Sequence, residues 1–197
     1  FDLQVNGFAG IDFNDAGLTP AALDHALEAM LSTGVTQCLA TLITASADDL
    51  LERFAALDAA VAGSRLGPLM VPGYHLEGPF LNPAPGFCGC HPAAKMCAPD
   101  IGLVDRLQAS IRKPILLVTI APELVGAAAF IQAARAGGVV VAMGHSDARF
   151  DTVTDAAAAG VTLATHLGNG VAHAQHKFDN PIMAQLAEDR LAACFIA

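Results

Sequence analysis

The sequence has few basic residues, and they are scattered along the chain and not clustered. It carries 10 Lys and Arg against 19 Asp and Glu, which gives a formal net charge of −9. Nucleic-acid binding depends on a basic patch that follows the phosphate backbone, so this class of partner is excluded. A small anionic substrate is still compatible with the composition, because a single local cation can hold it.

Long apolar runs are also lacking, although 54% of the residues are hydrophobic and only 15% are charged. A membrane-spanning helix needs about 20 consecutive apolar residues, and the most apolar stretch, 115–134, is broken by Pro122 and Glu123. The opening residues FDLQ contain no basic region of the kind that begins a signal peptide. Because the chain starts directly on a predicted strand, we expect that sequence preceding Phe1 is missing.

The 5 cysteines follow no standard zinc-binding spacing. An odd number of cysteines in a chain of this length is typical of reduced thiols in a cytoplasmic protein. Cys88, Cys90, His91 and Cys97 crowd one loop, which raises the alternative of a small structural metal site. Ordinary loop thiols are the favoured interpretation.

Predicted strands and helices alternate along the chain. The strand predictions are β-branched runs at 2–6, 35–44, 69–77, 114–119, 139–143, 161–165 and 191–196. The helix predictions are stretches rich in Ala and Leu at 20–32, 47–62, 100–110, 123–136 and 149–159. Strict alternation of this kind indicates a parallel sheet with right-handed crossovers.

Two architectures have this alternation, the (β/α)8 barrel and the open doubly wound sheet. The first predicted strand is followed by NGFAG, which is not the G-x-G-x-x-G of a dinucleotide-binding sheet. Polar residues instead cluster at the C-terminal ends of several strands, as in barrel active sites. We therefore predict an incomplete (β/α)8 barrel, one partial domain over 1–197, with the eighth strand beyond Ala197.

Three of these strand ends carry residues that suit a catalytic metal. Glu77, His145 and His166 each end a predicted strand and therefore share one face of a barrel. Two imidazoles and a carboxylate suit Zn²⁺ or Fe²⁺, and three protein ligands leave a position open for water. His75 lies on the same strand face as Glu77; we interpret it as a neighbour that supports the ligands, with a ligand role left open.

The motifs around these residues resemble a known enzyme family. Residues 75–83 read HLEGPFLNP, residues 144–148 read GHSDA and residues 165–169 read THLGN. Together with DLQVNG at 2–7, they resemble the N-acetylglucosamine-6-phosphate deacetylases of the amidohydrolase superfamily. The match runs through the whole chain in order, and the three motifs are specific when taken jointly.

The resemblance implies hydrolysis of the acetamide of an N-acetyl amino sugar phosphate by a metal-activated water. In the family, the residues matching Glu77, His145 and His166 hold the metal. Many superfamily members carry H-x-H on the first strand, where this chain has Gln4 and Asn6. Because neutral amides are poor ligands for a second Zn²⁺, the resemblance implies one divalent ion. Gln4 and Asn6 are then expected to support the site or to close the barrel floor by hydrogen bonds.

The resemblance also implies substrate contacts. Positions matching Cys90 and His91 lie in the family's loop over the sugar, and those matching Asn169 and Gly170 lie near the phosphate. The family's phosphate-binding arginine falls in register with Lys177, which can hold a phosphate only as a point charge.

The segment 168–177 departs from the family pattern, which leaves other functions open. One is an amidohydrolase acting on an unphosphorylated N-acetyl sugar or on another amide. Another is a truncated metal- or sugar-binding protein without catalysis. An oligomer of this chain is also possible, because the Ala-rich stretch 156–159 could pack closely against a partner.

The family's catalytic aspartate follows the eighth strand, and a sugar-binding histidine follows the seventh. We expect both beyond Ala197, and the family's small β-domain before Phe1. Asp147 and Asp179 fit better as a helix start and a loop carboxylate. The 197 residues alone are therefore predicted to turn over little or nothing.

Overall fold

The computed structural model describes residues 1–196. The strands are β1 (Asp2–Val5), β2 (Gly7–Phe8), β3 (Ile11–Asp12), β4 (Cys38–Ile43), β5 (Gly73–Glu77), β6 (Ile115–Ile120), β7 (Val140–Met143), β8 (Leu163–Ala164) and β9 (Ala192–Ala193). The helices are α1 (Pro20–Ser32), α2 (Ala47–Gly63), α3 (Gly67–Met70), α4 (Ile101–Ala109), α5 (Ala127–Ala136), α6 (Phe150–Ala159) and α7 (Pro181–Leu186), with a 3₁₀ turn at Ala93–Lys95.

The main sheet has seven strands in the order β1-β4-β5-β6-β7-β8-β9, and β2 pairs separately with β3. The strand order therefore follows the chain order. A doubly wound sheet reverses its order at a switch point, whereas a (β/α)8 barrel adds each strand beside the previous one until eight are present. The predicted fold class, an incomplete (β/α)8 barrel, is confirmed.

The chain divides into two compact units. The first comprises Phe1–Leu76 and Gly102–Leu116, and the second comprises Glu77–Ile101 and the chain from Leu117 onward. The prediction of a single partial domain stays a prediction.

In the first unit, β1 pairs in parallel with β4, and α1 packs against α2. Helix α1 begins where the Thr19 side chain accepts a hydrogen bond from the Ala22 amide, and Pro20 occupies its first turn. Strand β4 is buried along nearly its whole length, which is expected for a parallel strand covered on both faces. Leu27 and Phe54 are fully buried in this core.

In the second unit, β6 pairs with β7 from Leu117↔Val140 to Ile120↔Met143. Strand β7 then pairs with β8, and β8 pairs with β9. Helix α5 packs on β7 and on α6. Three successive pairings bring the C-terminal ends of β6, β7 and β8 to one edge.

Several predicted elements are shorter than expected, including the strand predicted at 191–196, which comprises only Ala192–Ala193. Two of them begin four residues late. The strand predicted at 69–77 begins only at Gly73, because Gly67–Met70 forms a helical turn with Pro68 in its first turn. The helix predicted at 123–136 begins at Ala127, because Gly126 has a φ of 90° that interrupts helical geometry. The β2–β3 hairpin and α7 were not predicted. Within residues 1–196, no helix is long and apolar enough to cross a membrane.

Candidate metal centre

The three predicted ligands stand at the C-terminal ends of strands. Glu77 is the last residue of β5 and is 2% exposed. His145 follows β7 after one residue, Gly144, and His166 follows β8 after Thr165. All three belong to the second compact unit.

Both histidines have left-handed backbone conformations, with φ of 51° at His145 and 30° at His166. Such values are uncommon for residues other than glycine and persist only where surrounding structure imposes them. The turn at His145 is tightly packed, since a Cβ on Gly144 would lie 3.0 Å from both Thr119 and Thr165. The hydroxyls of these threonines are hydrogen-bonded at 2.8 Å. Both histidines therefore lie in turns that follow their strands and not in the strands themselves.

Both imidazoles converge on the Glu77 carboxylate. Nε2 of His166 lies 2.8 Å from Oε1 of Glu77, and Nε2 of His145 lies 3.5 Å from the same oxygen. One ligand atom from each of the three residues lies within 4.8 Å of the other two. The side chains of His145 and His166 are only 6% and 11% exposed.

The hydrogen bonding of His145 tests whether this cluster fits a metal ion. Its Nδ1 lies 2.7 Å from the Phe87 carbonyl oxygen, which can only accept, so Nδ1 carries the proton. In the neutral ring, Nε2 then directs a lone pair at the Glu77 carboxylate. Two electron pairs facing each other in a buried site repel, and a divalent cation between them replaces that repulsion with two attractive contacts. The donor set therefore fits a divalent metal, with the Phe87 carbonyl orienting one ligand.

A third histidine borders the cluster. His91 is 3% exposed, and its Nε2 lies 3.5 Å from Oε2 of Glu77. Its ring centroid lies 4.4 Å from that of His145. His91 was predicted as a sugar contact, and the structure places it against the carboxylate. His91 therefore lies directly beside two of the three predicted metal ligands, Glu77 and His145.

The remaining residues predicted to contact the substrate have different surroundings. An added Cβ on Gly170 would lie 2.6 Å from Nδ1 of His145, so this backbone touches the ring. Asn169 is exposed and bonds the His166 carbonyl through its backbone and side chain, at 2.9 and 3.3 Å. Cys90 is exposed. Lys177 is exposed, with Nζ 5.2 Å from the Phe178 ring centroid.

The residues predicted to support the site lie in the first unit. His75 is buried, and its Nδ1 lies 3.3 Å from the Thr41 hydroxyl. The backbone amide of Gln4 donates to the Asp2 carboxylate at 3.0 Å, and the backbone carbonyl of Asn6 accepts from the Phe13 backbone amide at 2.9 Å. Their supporting roles stay predictions.

The cysteine-rich loop raises the alternative of a structural metal site, and its interpretation as ordinary loop thiols stays a prediction. Within residues 1–196, no disulfide joins any of the 5 cysteines. Across residues 1–196, the only group of at least three His, Cys, Asp or Glu with metal-binding geometry is Glu77, His145 and His166.

Sequence reasoning missed Glu123. The pattern placed it in a helix, whereas it lies in the loop before α5, where its carboxylate bonds Asn82, Ser146 and Asp147. The usable signal was Pro122 and Gly126 on either side of it, which favour a loop.

Sequence comparison relates nearly all of the chain to one group of enzymes, although no family model matches it. It is 34% identical over 198 residues to N-acetylglucosamine-6-phosphate deacetylase of Homo sapiens, covering 98% of this chain and 46% of that protein. The enzyme of the same name from Bacillus subtilis is 31% identical, covering 100% and 49%. N-acetylgalactosamine-6-phosphate deacetylase of Shewanella sp. is 35% identical, covering 86% and 41%. The chain thus spans about half the length of the curated relatives it matches.

Comparison with solved structures also matches this chain to deacetylases of the same name. The crystal structure of N-acetyl-D-glucosamine-6-phosphate deacetylase from Mycobacterium smegmatis matches with a TM-score of 0.84 at 32% identity, covering 98% of this chain and 48% of that one. An aspartate-to-alanine mutant of that enzyme, solved in complex with N-acetyl-D-glucosamine-6-phosphate, matches equally well at 33% identity. The predicted resemblance is confirmed: in sequence and in fold, the chain matches part of the N-acetylglucosamine-6-phosphate deacetylase family over nearly its whole length.

Proposed function

We propose that this chain is the metal-binding part of a deacetylase that hydrolyses the acetamide of an N-acetyl amino sugar phosphate. The observation that carries the proposal is the convergence of Glu77, His145 and His166 within 4.8 Å at strand ends. The likeness to deacetylases over 98% of the chain supports the choice of reaction. Both the glucosamine and the galactosamine epimers occur among the names of the relatives, so the proposal covers either.

The proposed cofactor is one divalent ion, Zn²⁺ or Fe²⁺, held by Glu77 and by Nε2 of each histidine. Such an ion, when bound, polarises a carbonyl and lowers the pKa of a bound water. The protein contributes donor groups that are largely buried. The Phe87 carbonyl holds His145 in the tautomer that leaves Nε2 unprotonated.

The proposed substrate contacts follow the predicted positions. Cys90 and His91 contact the sugar, Asn169 and Gly170 lie near the phosphate, and Lys177 neutralises it. The general base is proposed to be an aspartate that follows the eighth strand. Asp147 does not take this role, since it pairs with Arg149 at 2.8 Å.

A second candidate, an amidohydrolase of unphosphorylated N-acetyl sugars, is favoured by one feature. The resemblance places Lys177 in register with the family's phosphate-binding arginine, and its ammonium lies 5.2 Å from the Phe178 ring centroid. A cytoplasmic location is also proposed, which the lack of disulfides among the cysteines of residues 1–196 supports.

Amine release from N-acetylglucosamine-6-phosphate and from N-acetylglucosamine tests both candidates in metal-loaded protein that includes the proposed eighth-strand aspartate. The leading proposal predicts a kcat/KM at least about a hundredfold higher for the phosphorylated sugar, because phosphate binding adds charge-assisted hydrogen bonds. Equal values would favour the second candidate. No release from either sugar by that protein, with metal bound, would contradict both candidates and leave a binding protein.

A further inference from the structure

Glu123 joins two loops that flank the proposed metal ligands. One is the loop after β5, which contains Asn82, and the other is the loop after β7, which contains Ser146 and Asp147. The Asn82 side-chain amide donates to Oε1 of Glu123 at 2.8 Å, and the Asp147 backbone amide donates to the same oxygen at 2.7 Å. The Ser146 hydroxyl donates to Oε2 at 2.6 Å.

These contacts surround the left-handed residue His145. Its backbone carbonyl accepts a hydrogen bond from the Asn82 backbone amide at 3.1 Å, and its Nδ1 donates to the Phe87 carbonyl at 2.7 Å. The loop after β5 is therefore hydrogen-bonded to both the backbone and the ring of His145. Glu123 bonds this same loop and the two residues that follow His145.

A neutral side chain would not replace this carboxylate fully. Three donors point at the two oxygens of Glu123, and a carboxylate offers only acceptors. Without them, the Asp147 amide and the Asn82 side chain lose their partner, and the turn at His145 loses a restraint on its φ of 51°. A left-handed conformation outside glycine relaxes when its surroundings no longer impose it.

We propose that Glu123 is a positioning residue that fixes the backbone turn of His145 and thereby sets the affinity of the metal centre. The inference rests on the proposed metal site. It assigns no ligand role to Glu123, which acts only through the loop it holds.

The test compares Zn²⁺ affinity, by competition with a chromophoric chelator, across variants of the intact protein shown to be folded by circular dichroism. Glu123→Ala removes all three acceptors and should weaken Zn²⁺ binding about 10- to 100-fold, the usual range for residues that orient metal ligands. Glu123→Gln keeps one acceptor oxygen and should lose less, which covers the case in which Glu123→Ala does not fold.

Asp24→Ala is the matched control. The Asp24 carboxylate also holds a loop, accepting from the amides of Arg65 and Leu66 at 2.9 and 2.8 Å, but it lies in the other compact unit. It should lower the melting temperature without changing Zn²⁺ affinity. Unchanged affinity in both Glu123 variants, with the wild type binding Zn²⁺ and His145→Ala not binding, would overturn this inference alone. Failure of the wild type to bind Zn²⁺, Fe²⁺ or other divalent ions would overturn the metal centre and this inference with it.

Discussion

Gly89 packs against the imidazole of His145: a Cβ added at Gly89 would lie 2.9 Å from Cε1 of that ring. Gly89 also has a φ of 56°, a conformation that side chains other than glycine rarely adopt. The close approach and the backbone conformation together require glycine here. The ring of a proposed metal ligand is thus bounded by main chain.

Gly89→Ala is expected to lower metal affinity about tenfold, because the His145 ring must move away from the new methyl group. It should also destabilise the fold by about 1–2 kcal/mol through the left-handed conformation. Gly138→Ala is the control, with a φ of 82° and no atom within 4 Å of the added Cβ. Chelator competition and thermal melts should show a stability loss in both variants and an affinity loss in Gly89→Ala alone. Equal metal affinity in the two would contradict the packing argument.

The ionisation of Tyr74 can be used to measure whether the core of the first unit is folded. Its hydroxyl donates to the Asp58 carboxylate at 2.9 Å, and both side chains are buried. Burial, and then the hydrogen bond and charge of Asp58, raise the pKa of Tyr74 well above its ordinary value. Tyr74 should therefore stay protonated when an unfolded chain would ionise.

The pH dependence follows from that direction. Because folding raises this pKa, its stabilising contribution is complete below about pH 10 and is lost as pH rises further. The sequence has 1 Tyr and 0 Trp, so ultraviolet titration of the phenol is unambiguous. Ionisation should coincide with unfolding. Asp58→Asn should shift both to lower pH, because it removes the negative charge that helps to raise the pKa of Tyr74 while keeping an acceptor oxygen. Tyr74 titrating near pH 10 in the folded protein would contradict this.

Lys177→Ala is predicted to raise KM for the phosphorylated sugar by roughly 10- to 100-fold while sparing the free sugar, because one ammonium–phosphate contact is lost. Lys177→Arg should keep or lower that KM, since a guanidinium can bind phosphate with two hydrogen bonds. Steady-state kinetics on both sugars measure the effect. A similar change in KM for the two sugars would remove the phosphate role of Lys177.

Thiol reactivity should separate Cys38 from Cys90. Cys38 is fully buried in β4, and burial raises the pKa of its thiol to about 12, whereas Cys90 is exposed. Alkylation at neutral pH followed by peptide mass spectrometry should modify Cys90 readily and Cys38 only after unfolding, because the thiolate is the reactive form. Rapid labelling of Cys38 in the folded chain would contradict its burial.

The strand ends of the candidate site could be predicted because each ligand ends or closely follows a strand that the sequence pattern predicts. Strand periodicity places Glu77 and the two histidines, and parallel topology brings such ends to one edge. The left-handed turns at His145 and His166 could not be predicted, because neither is glycine and the conformation depends on packing around Gly144.

Glu123 shows a different limit. Its partners Asn82, Ser146 and Asp147 lie 41, 23 and 24 residues away in sequence. A local sequence pattern cannot predict contacts over such separations. The apolar periodicity of 127–136 predicts a helix that continues back to Glu123, whereas residues 123–126 form a loop. Contacts of this range become visible only once the loops are folded.

Metal content per chain, measured by elemental analysis on the wild type and on Glu77→Gln, tests the central claim most directly. We expect about one Zn or Fe per chain in the wild type, from the three ligands that the cluster supplies. Glu77→Gln replaces the anionic ligand with a neutral amide and should abolish most of the metal, while Glu52→Gln, at an exposed position, should not. No metal in the wild type, or equal metal in wild type and Glu77→Gln, would contradict the account.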